Sequence, residues 1–261
     1  MIRALNTAAT GMASQDANVS TIANNIANVN TNAFKASRAE FDDLLYETVQ
    51  EAGAKSSPDT SYSVGTQIGS GSKVSAIKKQ FSQGLPNITN NPYDLMVNGE
   101  GFFGVVGMDG NVSFTRDGSF TVDSTGALVT KSGEKLFPGF TIPQKTHHVN
   151  IDAAGGIEAF IDGQTEPVKL GQIPLFQFQN PEGLKSLGGN KYHATIGSGV
   201  ATQSIAATNG SGQIQQGAIE LSNVNVMQEM TNLIKAQRAY EMNSKVMSAA
   251  DQMLQVVNNV K

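Results

Sequence analysis

Both ends of this chain carry apolar residues at alternating steps of three and four. At the start the series is Ile2, Leu5, Ala9, Met12, Val19, Ala23 and Ile26, with Asp16 in the slot that breaks it. At the end it is Leu233, Ala236, Tyr240, Met247, Ala250, Leu254 and Val257, with Asn243 as the polar exception. Val226 and Met230 extend the second series backward by two turns. Such spacing puts side chains on one face of a helix, and a sustained seven-residue period is the coiled-coil pattern. Between the ends the sequence reads as strand and turn, so the chain is expected to close like a hairpin, its two helical ends pairing. The N-terminal seam is thin, with alanines among its members, and two such helices alone are marginal against the entropy of ordering them. The missing burial is expected from other copies of the chain, which makes both seams candidate subunit-packing surfaces.

The middle has a different rhythm. Asn98-Gly99, Asp109-Gly110, Asp117-Gly118, Gly126 and Gly133 punctuate short apolar runs at 101–106, 112–115, 120–122 and 128–130. Asn-Gly and Asp-Gly between apolar runs are hairpin signals, because both turn residues must reach positive φ. A second set follows at 149–151, 157–161 and 168–178, where Pro174 predicts an edge or a break. The expected fold class is α+β: terminal helices pairing as a coiled-coil-like hairpin, with an all-β, antiparallel, sandwich- or meander-like central domain. The expected divisions are an N-terminal helix over 1–34, an extended linker or arm over 35–75, a central β domain over 76–221 and a C-terminal helix over 222–261. The arm assignment rests on Gly53, Ser56, Ser57, Pro58, Gly65, Gly69 and Gly71 with few large apolar residues between them.

Three asparagines, Asn24, Asn25 and Asn28, crowd the last turns of the first helix, where their helix propensity is poor. They read either as a fraying helix end with solvated amides or as side-chain hydrogen bonds between packed helices. Asn30, Thr31 and Asn32 then break the helix, since such residues favour local turns.

Composition excludes several classes of function. A net charge of −4 over 261 residues, with no basic cluster, argues against nucleic acid. There is no cysteine, so thiol chemistry and disulfides are absent. The N-terminus lacks the apolar core of a secretory signal, and no stretch approaches the twenty or so apolar residues of a membrane span. Gly99 to Gly104 spells the G-x-G-x-x-G fingerprint, but the apolar run after it reads as strand, whereas that motif needs a helix opening at once. His147 and His148 are adjacent, so on a strand they point to opposite faces and cannot share a metal. Ser75 to Lys78 matches S-x-x-K without its companion motifs. No catalytic, cofactor-binding or metal-binding residues are expected.

The run Ile22 to Lys35, IANNIANVNTNAFK, strongly resembles the N-terminal signature of the bacterial flagellar rod and hook proteins. Its signature positions here are Asn24, Asn25, Asn28, Asn30, Thr31, Phe34 and Lys35. Further resemblance lies in GEGFF (Gly99 to Phe103), TRDGSF (Thr115 to Phe120), SNVNV (Ser222 to Val226), QRAYE (Gln237 to Glu241) and DQML (Asp251 to Leu254). The resemblance implies a secreted, non-catalytic building block that polymerises helically into a hollow shaft spanning the periplasm. It implies as partners further copies of the chain, proximal rod proteins, the hook protein, the surrounding basal-body rings and the flagellar type III export apparatus, with no cleaved signal peptide, no membrane insertion and no nucleic acid. It also implies that the glycine- and serine-rich arm is ordered and contributes to stiffness. Hook subunits of this family carry an additional outer domain, for which 261 residues leave no room.

Two readings from other classes compete. A β-rich glycosidase would need two carboxylates facing one cleft, and no such pair is evident. A β-rich adhesin on a coiled-coil stalk would have its stalk at one end of the chain, whereas here both ends are helical.

Overall fold

The computed structural model describes residues 2–57, 60–107, 109–162, 166–208 and 210–259; Pro58, one of the arm residues, lies outside them. The chain forms two compact units. One comprises Met1–Ala27, Ser37–Lys79 and Asn225–Lys261; the other comprises Asn28–Ala36 and Gln80–Val224.

The first unit is built on helices α1 (Ile2–Ala27) and α2 (Val226–Asn259), which pack against each other. Two contacts fix their register. Asn25 donates from Nδ2 to Glu229 Oε2 at 3.3 Å, and Gly11 lies against the side chain of Asn243. From the first contact to the second, fourteen residues run backward along α1 and fourteen forward along α2, so the pair is antiparallel and its polar contacts recur after two heptads. The coiled-coil-like hairpin expected from the sequence is therefore present.

The stretch expected as an extended arm over 35–75 instead falls within one long hairpin over 37–79, built of successive antiparallel ladders. Ser37–Asp43 pairs with Ser72–Lys79, Tyr46–Gln50 with Thr66–Gly69, and Lys55–Ser57 with Thr60–Ser61. The base of this hairpin packs on α1. Close approach there requires a glycine: Gly71 has φ +118°, and a Cβ on it would collide with Thr10 of α1. Beside it, Ser14 donates from its hydroxyl to the Ser72 carbonyl at 3.3 Å.

The second unit is all antiparallel β, as expected. Its largest sheet runs Thr121–Val122, Leu128–Val129, Lys135–Leu136, Phe102–Val106, Val112–Thr115, Lys191–His193 and Lys185–Gly188, with Pro174–Gln177 and Thr202–Ile205 branching from Phe102–Val106. A three-stranded meander over Thr146–Ile151, Gly156–Ile161 and Val168–Gln172 stands beside it. Pro174 does mark a break: the apolar run it interrupts divides between the meander and the large sheet.

Side-chain alternation along Phe102–Val106 creates two cores. Phe103 and Val105 point into an aliphatic cluster with Leu95, Leu136, Ile157 and Leu175. Phe102 points the other way, into an aromatic cluster with Phe114, Phe176 and Tyr192. The rings there meet edge to face, as in Phe114–Phe176 with centroids 5.1 Å apart, the arrangement that aromatic quadrupoles favour. After the G-x-G-x-x-G run the chain continues as strand, with no helix to receive a phosphate.

Candidate functional site

Among the described residues no group of three or more His, Asp or Glu side chains is placed to hold a metal, and no helix is long and apolar enough to cross a membrane. The features that call for a functional account are the faces of the two helices and a buried charged cluster in the β unit.

On α1 the buried residues are Ala8, Ser14, Thr21, Ile22 and Asn25. The apolar seam lies elsewhere: at 3.6 residues per turn its centre is about 140° round the axis from this buried face. Leu5, Met12, Val19 and Ile26 are half-buried, while Ile2, Ala9 and Ala23 are exposed. Ile22 apart, the helix thus turns small and polar side chains to its own chain and keeps the larger apolar ones partly in solvent.

Helix α2 divides differently. Ala236 and Ala250 are buried, and Leu233, Met247 and Leu254 half-buried, on the side that carries Asn243. Val226, Met230, Tyr240 and Val257, the other members of the sequence-derived seam, are exposed. A second apolar stripe, absent from the sequence reading, runs through Met227, Ile234, Met242, Val246, Met253 and Val256, all exposed. Its centre lies about 120° round the axis from the buried alanines. Arg238 and Lys245 interrupt it. The two-faced pattern is visible in the sequence as apolar residues at 227, 234, 242, 246, 249, 253 and 256; the expectation of a single seam concealed it.

The signature residues do not act together. Asn24 is exposed. Asn25, only 1% exposed, clasps the backbone of Ser37, accepting from its N–H at 2.9 Å and donating to its carbonyl at 2.8 Å, while its contact to Glu229 reaches α2. Of the two readings of this asparagine cluster, Asn25 follows the second, with a side-chain hydrogen bond between the helices. Asn28 accepts from the Thr31 hydroxyl at 3.2 Å, which shapes the turn after the helix. Asn30 and Thr31 line a polar cavity of about 320 Å³ together with Asp117, Ser119 and Lys131. Phe34 is buried.

Lys35 is fully buried and belongs to a cluster that sequence reasoning missed. Its Nζ donates to Glu220 Oε1 at 2.6 Å and to the Ser82 carbonyl at 2.8 Å. Glu220 Oε1 also accepts from the Gly84 N–H at 2.7 Å. On the other side Arg116 Nη1 stands 3.6 Å from Glu220 Oε2, and its Nη2 donates to the Gly99 carbonyl at 2.7 Å. The guanidinium lies over the Phe102 ring, 5.4 Å from its centroid. Burial pulls both Lys35 and Arg116 below their ordinary pKa values, and Glu220 opposes the effect in each case. Burial also pushes the neighbouring Tyr192 phenol up to about 12. The only signal in the sequence was an isolated cation within each of two motifs, with nothing to pair it to a glutamate 185 residues away.

Three regions match models of flagellar families: residues 5–35 the flagella basal body rod protein, 96–159 the D1 domain of the flagellar hook protein FlgE/F/G, and 215–260 the C-terminal region of the flagellar basal body rod FlgEFG proteins. The chain is 43% identical to the flagellar basal-body rod protein FlgG of Borreliella burgdorferi, over all of this chain and 99% of that one. It is 45% identical to the FlgG of Buchnera aphidicola from Schizaphis graminum, over the whole of both chains. The chain belongs to the flagellar basal-body rod proteins. FlgG of Bacillus subtilis, also matched along its entire length, is 34% identical. A rod protein is a structural subunit of the flagellar basal body, and its functional surfaces are those that join it to its neighbours.

Proposed function

We propose that this rod protein is the subunit of the distal rod, the rigid hollow shaft that links the motor to the hook, and that it polymerises helically through its terminal helices. The function is mechanical, not catalytic. The observation that carries this reading is that α2 is apolar on two separate faces, of which the chain's own helix pair uses one. The half-exposed seam of α1 supplies a second unsatisfied surface, formed by Ile2, Leu5, Ala9, Met12, Val19, Ala23 and Ile26. Two different apolar faces on one subunit favour a heterologous contact, one face against the other in the next copy, and such contacts propagate into a helical filament when the rotation does not close. Of the expected seam Val226, Met230, Leu233, Ala236, Tyr240, Met247, Ala250, Leu254 and Val257, the exposed members Val226, Met230, Tyr240 and Val257 join the outward stripe as packing positions, while Ala236 and Ala250 are already buried within the chain.

The remaining assignments follow from the same reading: export through the flagellar type III apparatus, proximal rod proteins below, hook protein above and basal-body rings around the shaft. Negative-stain microscopy of concentrated protein is expected to show tubes. Labelled subunits in isolated basal bodies are expected between the proximal rod and the hook. A chain that stays monomeric at all concentrations and is missing from the rod would overturn this reading.

A further inference from the structure

Four separate motifs on which the family resemblance rests meet in the β unit around the buried Lys35, Arg116 and Glu220. Lys35 closes the NTNAFK run, Arg116 lies in TRDGSF, Asn223 lies in SNVNV, and Arg116 reaches the backbone and a ring of GEGFF at Gly99 and Phe102. Lys35, Arg116, Gly99, Phe102 and Asn223 all lie outside the two long helices. Their position suggests that the signature builds a joint within the subunit.

The chain passes between the two units after residue 27 and at three further points: after residue 36, before residue 80 and after residue 224. The same cluster ties together the segments that lead to those three points. Lys35 bridges Ser82 and Glu220, and Glu220 holds Gly84. One asparagine repeats the pattern: Asn223 accepts from the Ala36 N–H at 2.7 Å and donates from Nδ2 to the Gln80 carbonyl at 2.8 Å. Backbone bonds close the remaining gaps, from Ala33 N–H to the Glu220 carbonyl at 2.8 Å, Gln80 N–H to the Ala36 carbonyl at 2.8 Å, and Leu221 N–H to the Leu85 carbonyl at 2.9 Å. A buried ion pair is a poor source of net stability, since an apolar pair of similar volume often does as well. What it provides here is direction: charge-assisted bonds hold three strands of chain at fixed separations.

We propose that Lys35, Glu220 and Asn223 form a mechanical clamp, which locks the three segments leading to the helical unit so that load on the helices cannot shear them apart. This inference rests on the rod reading given above. Its test uses the full chain and two variants, Lys35→Met and the milder Asn223→Ala, which removes no buried charge. The amides of Ala33, Gln80 and Leu221 keep their backbone acceptors in both variants, so faster exchange there reports opening of the whole clamp. We expect these three to speed up together, by about tenfold or more, while amides of the Leu95–Asn98 strand hold. In cells lacking the rod protein, the variants are expected to restore basal bodies and hooks in normal number and to support swimming in dilute medium, but to fail as viscosity rises. Unchanged or uncorrelated exchange, or swimming equal to wild type at every viscosity, would overturn the clamp. Failure of the wild-type chain itself to restore rods would count against the rod reading instead.

Discussion

Gly11 of α1 sits against Asn243 of α2 so closely that a Cβ on the glycine would lie 2.8 Å from the Asn243 Nδ2. The contact explains two oddities of the sequence, a glycine inside a helix and an asparagine inside an apolar seam. Small residues line the pairing on both sides, Ala8 on one helix and Ala236 and Ala250 on the other. The neighbour of Gly11 is the free end of a side chain, so Gly11→Ala is tolerated: the amide shifts, and the helix gains up to about 1 kcal/mol in propensity. Gly11→Leu has no such escape and is expected to cost about 1–3 kcal/mol through overpacking. Calorimetry of the monomer, with helical circular dichroism followed in parallel, separates the two.

Asn25 makes a second prediction. Asn25→Leu leaves the half-buried Ser37 N–H and carbonyl without their partners, at about 1 kcal/mol or more for each group. Asn25→Asp keeps the acceptor, loses the donor to the Ser37 carbonyl and places a carboxylate beside Glu229. That variant is expected to be unstable at neutral pH and to recover partly in acid, because protonation restores a donor and relieves the like-charge pair. Melting temperatures measured between neutral and mildly acidic pH test this; a leucine variant as stable as wild type would contradict it.

Alkaline pH probes the buried cluster through Tyr192. Its folded pKa is raised from 10.0 to about 12, so the stability it contributes is fully present below pH 10 and is lost as pH rises through about 12. Two pKa units correspond to roughly 2–3 kcal/mol. Lys35 acts with the opposite sign: its folded pKa is lowered, so the unfolded chain binds the extra proton and stability rises with pH just below 10.5. The decline above pH 10 should therefore be much smaller in Tyr192→Phe, since only the raised phenol of Tyr46 then remains. Denaturant titrations across that range, with phenolate absorbance recorded alongside, give the result directly.

The helical ends, their pairing and the antiparallel β domain were legible because period and turn chemistry are local properties. The hairpin over 37–79 was legible only as an extended stretch: Gly65, Gly69 and Gly71 announce turns without saying which strand pairs with which. Helix faces were harder. Periodicity shows that Ile2, Leu5 and Met12 share a side of α1, but not that the chain's own helix contact would use Ala8, Gly11 and Asn25. That choice depends on how closely two helices can approach, which small residues decide. The charged cluster was invisible for a simpler reason. Lys35, Arg116 and Glu220 are far apart in sequence, and a lone cation in a polar loop reads as solvated until the fold brings its partner to it.

The central claim is that the outward stripe of α2 joins one subunit to the next. Met242 and Val246 lie on it, 61% and 50% exposed in the single chain, so Met242→Asp and Val246→Asp cost the monomer little. In a polymer the same change buries an unpaired carboxylate, at several kcal/mol in every subunit. Asp162→Ala, on an exposed turn of the β unit, serves as control. The deciding measurement is sedimentation and microscopy of the assembled form, set beside calorimetry of the monomer. The account predicts unchanged melting for all three variants, normal assembly for Asp162→Ala and none for the two stripe variants; stripe variants that assemble like wild type would contradict it.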